Sequence, residues 1–106
     1  MSELNPDQFN GIVLYHGSDA DIPIGDVVEA RGSWVAGKYR TEPEHRKAFA
    51  TVSMREAGGW GKNIYQVEYQ DGETPREVPD VEGARRFTSQ KGFRIIAKIN
   101  RKRYGL

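Results

Sequence analysis

Gly11-Ile12-Val13-Leu14-Tyr15-His16-Gly17-Ser18 is the stretch from which the rest of the chain is read. Ile12 to Tyr15 form an unbroken apolar run, rich in β-branched and aromatic residues. Glycines bound it on both sides. That pattern predicts a short buried strand with His16 at its end. Three further windows look alike. Ala48-Phe49-Ala50-Thr51-Val52 predicts a second strand, and residues 63–69 (NIYQVEY) a third, with Ile64, Tyr65 and Val67 competing for the buried face. Residues 93–99 (FRIIAKI) set Phe93, Ile95, Ala97 and Ile99 on one face and Arg94 and Lys98 on the other. Ile96 breaks that alternation and predicts burial on both sides. Val27-Val28 adds a brief strand. Residues 74–78 read as an edge strand, because Pro75 and Pro79 cannot donate to a ladder.

Helical signals are few. Ser53-Met54-Arg55-Glu56 has the form of a capping box: the serine hydroxyl accepts from the third helical amide and the glutamate reaches back. A helix is expected through Ala57 to about Trp60, kept short by Gly58, Gly59 and Gly61. Asp71-Gly72 is a turn signal. Residues 18–26, 31–44 and 79–86 read as loops, the second long enough to suggest a functional lid. Residues 1–10 are expected to be a mobile lead-in, 11–100 a single domain and 101–106 a basic tail. The fold class is α+β, a small split sheet with one short helix and long loops.

Composition bounds the rest. The chain has 106 residues and a net charge of +1. One domain is the expectation at that length. No Cys is present, which excludes disulfides, thiolate metal sites and cysteine nucleophiles. Only His16 and His45 are available as imidazoles, so no histidine-rich metal site is expected. No apolar run approaches the ~18 residues of a membrane helix, and residues 1–10 lack a leader pattern. An intracellular, cytoplasmic protein without membrane attachment is the expectation.

The small net charge hides a polarity. Arg85, Arg86, Lys91, Arg94, Lys98, Arg101, Lys102 and Arg103 lie in residues 85–106 with no acid among them, while all fifteen acids lie before residue 85. Residues 85–103 are thus a candidate partner surface, nucleic acid included. The plainer reading, preferred on sequence alone, folds this basic end back onto the acidic body or leaves it solvated.

Taken singly, the candidate functional residues have plain structural readings. His16, followed by Gly17, presents a ring at a strand end beside accessible backbone, yet the commoner role is a half-buried histidine with one hydrogen bond. Phe49 and Trp60 are by default core side chains. Glu77, on a suspected edge strand, is by default solvated. The chain has no GxxxxGK[ST], no GxGxxG and no paired metal ligands.

Taken in order, the pieces resemble the rifampin ADP-ribosyltransferase family. Leu14-Tyr15-His16-Gly17-Ser18 through Gly25-Asp26 is similar to its opening strand and His-Gly-Thr/Ser motif. Phe49-Ala50-Thr51-Val52-Ser53-Met54, Glu56-Ala57 and Trp60-Gly61 resemble its Tyr-x-Thr-x-Thr-Leu-Asp-Ala-Ala-x-Trp-Gly stretch, with Arg55 as an extra residue. Ile64-Tyr65-Gln66-Val67-Glu68 resembles its Ile-Tyr-x-Val-Glu strand. Phe87-Thr88-Ser89 and Phe93-Arg94-Ile95-Ile96 resemble its serine/threonine-rich turn and closing strand. The resemblance covers residues 12–99.

It implies an ADP-ribosyltransferase fold with NAD as co-substrate between the halves of a split sheet, and no metal. His16 would hold ribose hydroxyls, Gly17 the nicotinamide amide through its backbone, and Phe49 would stack on the nicotinamide. Glu77 would be the carboxylate that stabilises the ribosyl cation, with Asp71, Glu73 and Asp80 as competitors. Ser18, Ser53 and Trp60 complete the implied NAD-binding set. Phe49 stands where the family has Tyr, and an ungapped alignment puts Ala50 there instead. The acceptor stays open among small molecule, protein and nucleic acid, shaped by residues 31–44 and the basic end. Two alternatives stand beside this reading: an inactive interaction module on the same fold, and a basic-ended nucleic-acid binder.

Overall fold

The computed structural model describes residues 9–106 and, as backbone, 2–3. The strands are β1 (Ser2–Glu3), β2 (Leu14–Ser18), β3 (Val27–Val28), β4 (Ser33–Val35), β5 (Lys38–Arg40), β6 (Ala48–Thr51), β7 (Asn63–Tyr69), β8 (Arg76–Glu77), β9 (Arg86–Ser89) and β10 (Phe93–Lys98). Among the described residues a short helix, α1, spans Met54–Gly58, and 3-10 turns lie at Pro43–His45 and Arg101–Tyr104. Among the described residues eight strands form one antiparallel sheet in the order β1-β8-β9-β6-β2-β7-β10-β3, with β4 and β5 as a separate ribbon. The molecule is α+β, as expected.

The core is the face on which the predicted strands alternate. Leu14, Tyr65, Val67, Phe93 and Ile95 come from the β2-β7-β10 half, and Ala48, Ala50 and Phe87 from β6 and β9. Burying each large side chain here contributes about 1.5–3 kcal/mol. Tyr65 is fully buried. Its hydroxyl donates to the Ala20 carbonyl at 2.7 Å and accepts from the Ile22 amide at 2.9 Å, which pins the turn-rich segment after β2. Phe9 packs edge-on against Tyr69 and Phe87, at 5.5 and 5.4 Å.

Several expectations are corrected. The expected lead-in over residues 1–10 falls largely outside the described residues, but Ser2–Glu3 pairs with β8 and Phe9 is packed on the core. The expected tail at 101–106 carries a 3-10 turn, and Arg101 donates to the carbonyls of Gly61 and Lys62 at 3.1 and 3.0 Å. The strand expected from Ile12 is β2 and starts at Leu14, so His16 is its third residue rather than its end. The long loop over 31–44 contains a hairpin. Its two-residue turn, Ala36-Gly37, has φ of 50° and 81°, the primed-turn signature that matches strand twist. Phe87-Thr88-Ser89 is not a turn but most of β9, a strand between β6 and β8. Ile96 is exposed, because the β10–β7 register slips between Ile95 and Ala97 and the bulge turns it outward.

The capping box is half formed. Ser53 Oγ accepts from the Glu56 amide at 3.1 Å, and α1 ends at Gly58 rather than Trp60. The Glu56 carboxylate does not reach back. It accepts from the Ala84 amide at 3.2 Å and from Arg86 Nε at 2.7 Å, tying α1 to the start of β9.

The basic end lies against the acidic body. Arg85 pairs with Glu77, Arg86 with Glu56, Arg94 with Glu68 and Lys98 with Asp21. Four of the eight cations of residues 85–106 are thus matched by acids that precede residue 85.

Candidate functional site

The centre of the sheet is where its two halves meet. β2 pairs with β7 along all five of its residues, from Leu14↔Val67 to Ser18↔Asn63. On its other side β2 pairs with β6 only at Tyr15↔Thr51. Beyond that pair the strands are no longer laddered, and the His16 ring bridges between them. Its Nδ1 lies 2.7 Å from the Phe49 carbonyl oxygen. A carbonyl can only accept, so Nδ1 carries the proton and Nε2 of the neutral ring keeps its lone pair. Burial pushes the His16 pKa below its ordinary 6.5, and the bond to Phe49 opposes part of that shift. The Trp60 ring packs edge-on against His16 at 6.2 Å, and the Arg86 guanidinium lies 6.0 Å from the Trp60 ring.

A cleft of about 570 Å³ opens at His16. Ser18 lines it from β2, and Lys47, Ala48 and Phe49 line it at the start of β6. Val27, Val28, Glu29 and Arg31 close another side. Glu29 is the one carboxylate lining it among the described residues. A second cleft of about 430 Å³ is lined by Gly32, Ser33, Trp34, Lys47, Phe49, Val78 and Thr88. Phe49, Lys47 and Gly32 belong to both.

The structure brings His16, Ser18 and Phe49 to one cleft, but not the whole expected set. Phe49 meets His16 through its carbonyl rather than its ring. Along β6 Ala48 and Ala50 are buried while Phe49 is 41% exposed, so the pleat turns its ring away from the core face. Gly17 lies between His16 and Ser18 in the strand, and its Cα faces α1. Ser53 is the helix cap, with its amide on Thr51 Oγ1 at 3.2 Å. Trp60 supports His16 and lines neither cleft.

Glu77 also lines neither cleft. It sits on β8, opposite Phe87. Its carboxylate takes two hydrogen bonds from Arg85, at 2.8 and 2.7 Å, and those bonds lower its pKa. The competing acids are no nearer. Glu73 accepts from Ser89 Oγ at 2.5 Å and from the Gln90 amide at 2.8 Å, and neither Asp71 nor Asp80 lines a cleft.

Glu29, Arg31 and Lys47 were not legible as site residues. Arg31 and Lys47 are brought together by reciprocal backbone hydrogen bonds, 3.1 and 2.7 Å, across sixteen positions of sequence with no pattern to announce the pairing. No group of three or more potential metal ligands occurs among the described residues, and no described helix is long and apolar enough to cross a membrane. No family model matches the chain, and comparisons with curated proteins and with solved structures return no match.

Proposed function

We propose that the protein is an NAD-dependent ADP-ribosyltransferase that works in the cleft at His16. One observation carries the reading. A proton-fixed imidazole stands where the β2–β6 pairing of the sheet narrows to one residue pair, beside a cleft of about 570 Å³ that also holds one carboxylate and two cations. That volume lies within the ~300–1,000 Å³ of small-molecule sites. The resemblance of residues 12–99 to the rifampin ADP-ribosyltransferases supports the same assignment.

The residues have separable tasks in this reading. His16 Nε2 accepts from a ribose hydroxyl, which its fixed tautomer prepares it to do. Arg31 offers a cation to the pyrophosphate. Glu29 supplies negative charge near the ribose as positive charge develops there. The bond between ribose C1 and the nicotinamide nitrogen breaks, and its electron pair leaves with neutral nicotinamide. An acceptor nucleophile then attacks C1 and releases its proton. Glu29 replaces Glu77 in this scheme, because the Glu77 carboxylate is held by Arg85 outside the cleft. The phenyl ring of Phe49 becomes a wall between the two clefts.

The Arg85–Glu77 pair and the outward Phe49 ring favour a second reading, an interaction module that keeps the fold without the chemistry. Titration calorimetry with NAD, with nicotinamide followed in the same sample by chromatography, separates the two. Binding with release of nicotinamide supports the enzyme. Absence of binding at about 1 mM NAD, near the upper end of ordinary KM values, overturns it in favour of the module.

A further inference from the structure

The β4–β5 ribbon turns its rings to solvent. Trp34 is 73% exposed and Tyr39 51%. They are cross-strand partners, so they share one face of the ribbon, and their rings meet edge-on at 5.6 Å. Trp34 also forms a wall of the second cleft, together with the outward ring of Phe49. A large aromatic left this open gives up the free energy its burial would supply, so three around one surface mark a place where something else covers them.

The charge nearby says what that is. Residues 31–47 contain Arg31, Lys38, Arg40, Arg46 and Lys47 against Glu42 and Glu44. Arg40 and Glu42 neutralise each other in a two-pronged pair, with Nε–Oε1 at 3.0 Å and Nη2–Oε1 at 2.6 Å. Four cations and one carboxylate of this segment then remain. Exposed rings accept the flat faces of bases, and a cation beside them, as Lys47 is beside Trp34 and Phe49 in the second cleft, accepts a phosphate. A single strand offers both groups in alternation. A duplex hides its base faces in the stack. An acidic peptide matches the cations and leaves the rings without a purpose.

We propose that the ribbon is a binding surface for single-stranded nucleic acid, with Trp34 and Tyr39 stacking on bases, and Lys47, in the second cleft with Trp34, and Lys38, next to Tyr39 in sequence, neutralising phosphates. This goes beyond the NAD reading and does not depend on it. Where both hold, the strand reaches the second cleft and meets the NAD cleft across Phe49, as the acceptor.

The test is fluorescence anisotropy with a labelled oligothymidylate of about 12 nucleotides, within the ~4–16 nucleotides that small single-strand sites cover. It is run without NAD, so that it reports on this surface alone. Binding is expected to weaken steeply with salt. Trp34→Ala and Tyr39→Ala are each expected to weaken it about tenfold, in keeping with the loss of one stacked base. Both side chains are exposed, so the variants should keep the wild-type circular dichroism, and Trp34→Phe should recover part of the affinity. Lys62→Ala and Lys102→Ala, in a separate cluster of cations, should leave it unchanged. No binding, equal binding to the duplex, or full binding by the Trp34→Ala/Tyr39→Ala double variant overturns the proposal. So does loss of binding in Lys62→Ala and Lys102→Ala alone.

Discussion

A methyl group on Gly17 would stand 1.7 Å from the carbonyl oxygen of Ala57. Strand β2 and helix α1 therefore meet backbone to backbone, with no room for a side chain between them. Gly61 makes the same kind of approach, 2.4 Å from the Ser18 backbone. These two glycines let α1 and the segment after it lie directly behind His16, which brings Trp60 against the imidazole. Gly17 is required for space rather than for backbone freedom, since it is not among the residues with positive φ. Gly17→Ala is expected to destabilise the fold by about 3 kcal/mol, the upper part of the ordinary overpacking range. Urea denaturation checks it. A loss below about 0.5 kcal/mol, the scale of an ordinary surface change, would mean that α1 shifts freely and that the packing behind His16 is loose.

The His16 ring predicts a pH dependence. Burial holds its folded pKa below the ordinary 6.5. The native state thus prefers the neutral ring, and the unfolded chain binds the proton more readily. The resulting stabilisation is fully present above the unfolded pKa and is lost as pH falls through the depressed folded pKa. Wild-type protein should lose stability between about pH 7 and pH 5, the range in which an imidazole takes up its proton. His16→Gln, whose amide can still donate to Phe49, should show a shallower loss over that interval. Urea midpoints across the range decide it, and identical slopes for the two proteins would show that the proton moves elsewhere.

Much of the sheet was legible because its strands bury one face. Leu14, Tyr65 and Val67, Phe93 and Ile95 stand at the spacing a pleat demands, and their strands fell close to where the pattern put them. β9 escaped because Thr88 and Ser89 are buried polar residues, satisfied by neighbours rather than by apolar packing. In a sequence they read as turn residues. The β4–β5 ribbon escaped for the opposite reason: its large residues, Trp34 and Tyr39, are outside, so no alternation toward a core could reveal it. His16 was legible from the glycine and apolar run around it. The rest of the cleft was not, since Glu29 and Lys47 reach it from loops that only tertiary pairing joins. The preference for a basic end folded back on the body agrees with the ion pairs of Arg85, Arg86, Arg94 and Lys98.

The ribbon turn offers a stabilising substitution. Ala36 sits at φ 50°, a left-handed conformation that a Cβ disfavours. Asparagine tolerates that conformation, and Asn-Gly is the preferred sequence for a two-residue primed turn. Ala36→Asn should raise stability by about 0.5–1 kcal/mol, a fraction of the strain of a left-handed alanine. Thermal unfolding measures it. If the transition is unchanged while limited proteolysis at the ribbon slows, the ribbon opens independently of the sheet, and its strain does not bear on global stability.

The two carboxylates give the sharpest division between the functional readings. Glu29 lines the cleft at His16, and Glu77 lies outside it on β8, tied to Arg85. If nicotinamide release takes place in that cleft, Glu29→Gln should lower kcat by about 100-fold or more, the scale of losing one charge-stabilising group at a developing centre. Glu77→Gln should keep kcat within about threefold, because the charge it removes is spent on Arg85 rather than on the substrate. Its cost should fall on stability instead, by no more than about 1 kcal/mol for a pair this open to solvent. Glu77→Ala combined with Arg85→Ala removes both partners together and should behave likewise. The reverse result, loss of turnover on Glu77→Gln with Glu29→Gln intact, would move the reacting centre to the β8 side of Phe49 and make the first cleft a binding groove for another part of NAD.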